Sequence, residues 1–340
     1  MMDGAFLGRI GFQVRGRPVR GVAVLAPLSG ISDVGFRRLA ARFGAGLVVT
    51  EMVAAEGYLR GEEQARLRSA GVGLDPHVVQ LVGRNPVRMG EAARLAEGAG
   101  ADIIDINMGC PAKRVTGGLS GSALMREPDL AVDIMAKVVA AVSVPVTVKM
   151  RLGWDDTTRN AAALARQGAD LGVAAVTVHG RTRQQFYTGS ASWTAIREVA
   201  DTAGIPVVAN GDVASVADAR SCLAQSGAAA VMVGRAALGQ PWLVGEIGAA
   251  LAGIPVCSPG FAERAEAAVE HYETLLALYG ARIGTRHARK HLAAYADRAA
   301  ETGFGLSPAD RAELVTSEVP ARVVALLSCI YDEPLRRAAA

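Results

Sequence analysis

The residues able to do chemistry in this 340-residue chain lie in short runs, each of which follows an apolar, β-branched segment. Ile103–Met108 breaks at Gly109 and presents Cys110 just before Pro111, with Lys113, Arg114 and the pair Gly117-Gly118 behind it. A lone cysteine is more often a small buried hydrophobe than a reagent. The flanking Asn107, Gly109 and Pro111, and a place just past a strand's carboxyl end, favour a thiol that works. Lys149 and Arg151 are two apart, as are His179 and Arg181, so each pair starts on one face of its strand. Buried cations are costly without partners, so four converging on one mouth imply an anionic ligand. Asn210-Gly211-Asp212 and Gly234-Arg235 add glycines that let a backbone approach a phosphate and a guanidinium to hold it. Pro27-Leu28-Ser29, Glu51-Met52 and Gln80 stand at three further strand ends.

These runs need a scaffold that brings all their ends together. Apolar β-rich segments recur at Val22–Pro27, Leu47–Met52, His77–Val82, Ile103–Met108, Val146–Met150, Ala174–His179, Val207–Asn210 and Ala229–Gly234. Ala-rich amphipathic stretches separate them, among them Pro86–Gly98, Asp129–Val142, Arg159–Leu171, Ser192–Ala203 and Val216–Gln225. Strand and helix alternating eight times predict an α/β chain, a (β/α)8 TIM barrel whose strand ends carry the chemistry. A doubly wound sheet is the alternative, but no strand is followed by a G-x-G-x-x-G turn. The opening is expected to form a hairpin at Arg15-Gly16-Arg17-Pro18, and the glycine-bearing loop after Cys110 a mobile lid. Strands stop near Gly253. Helices are predicted at Ala262–Leu278, Arg282–Ala299, Pro308–Thr316 and Pro320–Ile330, so residues 1–253 form the barrel and 254–340 a C-terminal helical domain.

Composition excludes several classes. The net charge is only +3, so a nucleic acid partner would need a local basic patch. The four cysteines are far apart, without C-x-x-C pairs or histidines at ligand spacing, which argues against metal centres and a disulfide framework. No stretch has the length and hydropathy of a membrane span, and no signal core opens the chain, so a cytoplasmic protein is expected. Nothing in the sequence demands a dimer, and a monomer is expected.

Asn107-Met108-Gly109-Cys110-Pro111 with Lys149-x-Arg151, His179-Gly180-Arg181, Asn210-Gly211-Asp212 and Gly234-Arg235 resembles the tRNA-dihydrouridine synthase family. The longer run to Gly121-Ser122-Ala123-Leu124 and the tail motif Arg289-Lys290-His291 resemble its bacterial B-type branch. The ordered motif set spans roughly residues 15 to 330. One departure is Gly189-Ser190-Ala191-Ser192-Trp193, where many relatives carry an acidic residue before the Trp. The resemblance implies a barrel that binds FMN, a helical RNA-binding domain, NADPH as reductant, and reduction of the C5=C6 bond of uridine in tRNA. Cys110 would then give a proton to C5, a role that suits a thiol of ordinary pKa, about 8.5. Lys149 would sit near the N1–O2 edge of the flavin, Gln80 would bond the ring, and Pro27, Leu28 and Ser29 would line its face. Asn210, Gly211, Asp212, Gly234 and Arg235 would hold the ribityl phosphate, with Asn107 and His179 close to the flavin.

An RNA substrate also needs cations outside the barrel mouth. Lys113 and Arg114 on the lid, Arg151, and Arg181 and Arg183 after the sixth strand are candidates. Arg282, Arg286, Arg289 and Lys290 share one helix face, and no Asp or Glu occurs from Arg282 to Ala296. Tyr187 and Trp193 are candidates to stack on a base. Two rivals remain at this level: a flavin barrel acting on a small molecule, for which the basic tail has no use, and an RNA-binding regulator on a barrel without turnover.

Overall fold

The protein is described by a computed structural model covering residues 11–332; the first ten residues and the Arg-Arg-Ala-Ala-Ala end lie outside the described residues. The hairpin forms as expected, β1 (Gln13–Val14) pairing antiparallel with β2 (Arg17–Pro18) across Arg15 and Gly16, both at positive φ. Its side chains Phe12, Val14 and Val19 pack under the barrel with Ile103, Ala175, Val208 and Ala230, closing the end opposite the chemistry.

The remaining strands are β3 (Ala23–Leu25), β4 (Leu47–Val48), β5 (Val53–Ala54), β6 (Val78–Val82), β7 (Ile103–Met108), β8 (Val146–Arg151), β9 (Ala175–His179), β10 (Val207–Asn210) and β11 (Ala230–Val233). All pair parallel in the order β4-β3-β11-β10-β9-β8-β7-β6-β5. The predicted strand Leu47–Met52 is split, because the chain turns at Thr50–Met52 to bring Glu51 inward. Its two halves still form one stave: Val49 bridges Val78, and Thr50 N–H donates to Val78 O at 3.1 Å, closing the sheet on itself. The result is an eight-staved TIM barrel. Outer helices α1 (Val34–Arg42), α4 (Pro86–Gly98), α6 (Pro128–Ala141), α7 (Ala161–Leu171), α8 (Thr194–Thr202), α9 (Val216–Ser226) and α10 (Leu243–Leu251) surround it, with short α2 (Ala55–Leu59), α3 (Glu63–Ser69) and α5 (Lys113–Thr116) in the loops.

Strand β7 shows how the pattern works. Ile104, Ile106 and Met108 face the helices and join the main apolar core, while Asp105 and Asn107 alternate into the barrel. Helix starts are chemically specified. Asn85 accepts the Arg88 N–H ahead of Pro86, Ser215 accepts that of Asp218, and Asp33 accepts that of Phe36.

Past Gly253 the chain builds a separate helical core from α11 (Phe261–Glu301), α12 (Pro308–Thr316) and α13 (Pro320–Ser328), with Tyr272, Leu275, Leu292, Leu314, Val323 and Leu327 at its centre. The sequence predicts two helices in the span of α11, and Gly280, at φ 72° and ψ 159°, divides it into two arms that fold back on each other. His271 on the first arm and His291 on the second meet Asp33 of the barrel. His271 Nε2 lies 3.1 Å from Asp33 Oδ2 and His271 Nδ1 lies 3.1 Å from Tyr295 OH, all buried. Asp33, His271 and His291 offer ligand atoms within 4.8 Å of one another, an association hidden from local spacing because Asp33 is far from both histidines in sequence. Among the described residues, no helix is long and apolar enough to cross a membrane.

Candidate active site

At the carboxyl ends of the strands lies a cavity of about 770 Å³. Strand register explains who reaches it. Gln80 is level with Asp105 and Thr147; Asn107 is level with Lys149; Arg151 is level with His179, which is level with Asn210. The cavity is lined by Pro27, Leu28, Ser29, Gln80, Asn107, Cys110, Lys149, Arg151, His179, Asn210, Gly211, Asp212, Gly234 and Arg235. Every residue expected to contact the cofactor therefore faces one space, together with the cysteine.

Its electrostatics are dominated by buried and neighbouring cationic side chains. Lys149 lies deep in the barrel with Nζ 3.2 Å from Asn210 Oδ1; burial first, then Arg151, lowers its pKa to about 8. Burial, followed by the charges of Lys149, Arg151, Arg181 and Arg235, pushes His179 well below the ordinary imidazole value. Its ring is therefore neutral at pH 7, and its buried Nδ1 has no partner among the described residues. A Cβ added at Gly234 would meet nothing within 4 Å, so this glycine borders open space rather than a neighbour. Gly211 has φ 121°, a conformation that favours glycine.

Cys110 is fixed at the rim. Its N–H donates to Asn107 Oδ1 at 2.9 Å, and its carbonyl accepts from the N–H and hydroxyl of Ser122 at 3.1 and 2.9 Å. The preceding Gly109 carbonyl accepts from Arg151 Nε at 3.0 Å. The expected lid is thus tied down where the cysteine sits, and the segment beyond folds into α5 and a 3-10 turn at Gly121–Arg126.

Several cations have other duties than the sequence suggests. Arg181, expected to grip RNA, is buried; it pairs with Asp212 at 2.6 Å and donates to the carbonyls of Thr188 and Gly189. A guanidinium this buried is kept by full hydrogen bonding, and here it braces the loop after β9. Asp212 is committed to that pair and to the Ala191 N–H, so its carboxylate holds Arg181 rather than a phosphate. Asn210 likewise spends its amide on Met232 O and Lys149, and so positions the lysine. Arg151 lines the cavity yet gives most of its donors to Gly109, Thr182 and Phe186 carbonyls. Arg183 stacks on Trp154 at 4.7 Å, outside the cavity lining. Ser192 supplies the start of α8 by accepting the Ala195 N–H at 3.3 Å, which covers the missing acidic residue before Trp193. Trp193 donates to Gly211 O and is a packing residue, not a free stacking surface.

Lys113 and Arg114 are exposed on α5 beside the mouth. Arg286, Arg289 and Lys290 are exposed on the second arm of α11. A Cβ placed on Gly30 would lie 2.8 Å from Lys290 Nζ, so that ammonium reaches the loop carrying Ser29 at the cavity edge. Sequence reasoning missed Arg298, which extends from α11 into the cavity wall and approaches the carbonyls of Ala236 and Leu238. It also missed Phe186 as a rim residue; Phe186 packs edge-on against Tyr187, with Arg235 4.7 Å from the Tyr187 ring centre. Only the closed barrel reveals these neighbours.

The family model for dihydrouridine synthase (Dus) matches residues 24–310. The chain belongs to the dihydrouridine synthase family. A probable tRNA-dihydrouridine synthase of Rhizobium leguminosarum bv. phaseoli is 49% identical over 92% of this chain and 96% of that protein. One of Rhodobacter capsulatus is 50% identical over 91% and 94%. The tRNA-dihydrouridine synthase B of Xanthomonas axonopodis pv. citri is 44% identical over 91% and 92%. Among solved structures, the 6-hydroxypseudooxynicotine amine oxidase of Pseudomonas geniculata N1 superposes with a TM-score of 0.53 at 16% identity, across 79% of this chain and 53% of that one. This likeness concerns the fold alone. The barrel gathers the strand-end motifs into one cavity.

Proposed function

We propose that this protein is an FMN-dependent synthase that reduces the C5=C6 bond of uridine in tRNA, with NADPH as the ultimate hydride source and Cys110 as proton donor. The observation that carries the reading is the cavity on which Lys149, His179 and Arg235 converge while Cys110 is held at its rim. The residues fit the cofactor. Lys149 offers positive charge to a flavin ring edge, His179 Nδ1 has no partner among the described residues and can bond a polar atom, and Gly211, Gly234 and Arg235 line the cavity where a phosphate would sit. When bound, reduced flavin supplies the hydride that goes to C6.

The chain's own residues do the rest. Lys149 stays charged below about pH 8 and favours negative charge on the neighbouring ring. Cys110 gives its thiol proton to C5, so hydride and proton together saturate the bond and the thiolate is reprotonated from solvent. Asn107 holds the cysteine's amide and keeps a second amide hydrogen for ring or base. The uridine has to leave the RNA fold to reach the mouth. Tyr187 and Phe186, both exposed there, provide aromatic surface for it, and Lys113, Arg114, Arg286, Arg289 and Lys290 provide charge for the backbone.

The test is spectroscopic. Purified protein should show flavin absorbance, bleach with NADPH, and reoxidise with tRNA lacking dihydrouridine. Reoxidation only by oxygen or small enones would replace the RNA reading with a small-molecule reductase. A colourless protein that cannot be reconstituted with FMN would overturn both.

A further inference from the structure

A chain of side-chain amides runs beneath the cysteine and begins at a carboxylate outside the cavity lining. Thr147 Oγ1 donates to Asp105 Oδ1 at 2.6 Å, and Gln80 Nε2 donates to Asp105 Oδ2 at 2.7 Å. Gln80 Oε1 then accepts from Asn107 Nδ2 at 2.8 Å. Asn107 Oδ1 finally accepts the N–H groups of Gly109 at 3.1 Å and Cys110 at 2.9 Å. All three polar residues are at least nine-tenths buried.

The direction of every bond in this chain follows from its two ends. An ionised carboxylate only accepts, so Gln80 must turn its NH2 to Asp105 and its oxygen to Asn107. Asn107 must then turn its own NH2 to Gln80, which leaves its oxygen for the loop. The backbone N–H groups at the other end only donate and require that same orientation. Burial raises the Asp105 pKa, while Thr147, Gln80 and the Lys149 charge act to keep it ionised. Were Gln80 reversed, Asn107 would present NH2 to two N–H groups, and a buried donor facing donors loses its bond outright.

We propose that Asp105 is a positioning residue for Cys110: its carboxylate sets the polarity of the Gln80–Asn107 relay and so fixes the loop that carries the thiol. The catalytic meaning rests on the function proposed above; the relay itself does not. It acts through Gln80 and Asn107, without contact with substrate.

Amide hydrogen exchange at Gly109 and Cys110 reads the relay without flavin or RNA. Asp105→Val removes the acceptor and should speed exchange at both amides by about tenfold or more. Asp105→Asn removes the charge but can keep an oxygen toward Gln80, with its NH2 donating to the Thr147 hydroxyl. It should therefore retain near-native protection, and slow tRNA-dependent reoxidation far less than Asp105→Val does, with flavin reduction by NADPH intact in both. Unchanged exchange in Asp105→Val overturns the proposal, as does equal damage in Asp105→Asn, which would make charge rather than polarity the operative property. If Asp105→Val does not fold, a swap decides. Asn107→Asp leaves two carboxylates facing one Gln80 and should lower the melting temperature. Adding Asp105→Asn gives a chain satisfied in the reverse sense at Gln80 and should restore it. No restoration overturns the relay. Native exchange patterns in a wild-type protein that never reduces RNA would instead overturn the proposed function and leave the relay standing.

Discussion

Two buried ionisable clusters in this molecule have opposite characters. In the barrel mouth, Lys149, Arg151 and His179 face a cavity of about 770 Å³, and burial first, then neighbouring positive charge, lowers the pKa of Lys149 and His179. Between barrel and helical domain, Asp33, His271, His291 and Tyr295 close on themselves beside a space of only about 30 Å³. Burial alone would raise the Asp33 pKa, but His271 and His291 hold it well below the usual carboxylate range. The second cluster pairs Asp33, His271 and Tyr295 with one another and is a clasp between two cores. The first presents cations to an open cavity, as the proposed cofactor site requires. The loop carrying Ser29, Gly30 and Asp33 belongs to both, so docking of the helical domain also shapes the cavity edge.

Breaking each cluster should therefore have a different effect. Cys110→Ala should retain flavin and tRNA binding yet lose turnover by about 100-fold or more, the contribution of a positioned acid; near-normal dihydrouridine formation by mass spectrometry would remove Cys110 from that role. Asp33→Ala strips an acceptor shared by the α1 N-cap and two histidines, and should cost about 3 kcal/mol in urea unfolding. If stability holds while turnover falls, the clasp is part of the site after all.

Smaller effects sharpen the contrast. FMN affinity, titrated by flavin fluorescence, should weaken by about tenfold per pH unit above about pH 8, because the free protein's Lys149 must then take up a proton to bind. Lys149→Met should abolish that slope. Neutralising Arg286, Arg289 and Lys290 together should reduce the salt slope of tRNA binding by about two to three. An unchanged slope would restrict the second arm of α11 to a structural part. The clasp should show in acid. Burial, then His271, lowers the His291 pKa to about 3, against about 6.5 unfolded. The unfolded chain then binds the extra proton between those values, so stability falls as pH drops from about 6.5, by at most about 1.4 kcal/mol per unit. His77, His179 and His287 are lowered too and act in the same sense. The part due to His291 is the difference in slope between wild type and His291→Asn. Equal slopes from pH 7 to 5 would assign none of the loss to the clasp.

Much of this was legible in the chain itself. Apolar β-rich runs ending in polar residues located the staves, and Ile103–Met108, Val207–Asn210, Pro86–Gly98 and Pro308–Thr316 match their observed bounds. Because a barrel places all strand ends on one rim, the motif residues could be assigned to one site before any distance was known. The division of labour among them was not legible. Arg181 and Arg235 are both arginines after strand ends, yet one is buried against Asp212 and the other remains largely exposed at the mouth. Nor could spacing connect Asp33 with His271, Arg298 with Ala236, or Asp105 through Gln80 to Cys110. Sequence alone determined which face the strand residues occupy, since the strand period is a local property of the backbone. Partners were decided only by closure of the sheet and folding back of α11 at Gly280, because a hydrogen bond depends on distance across elements that the local chain does not encode.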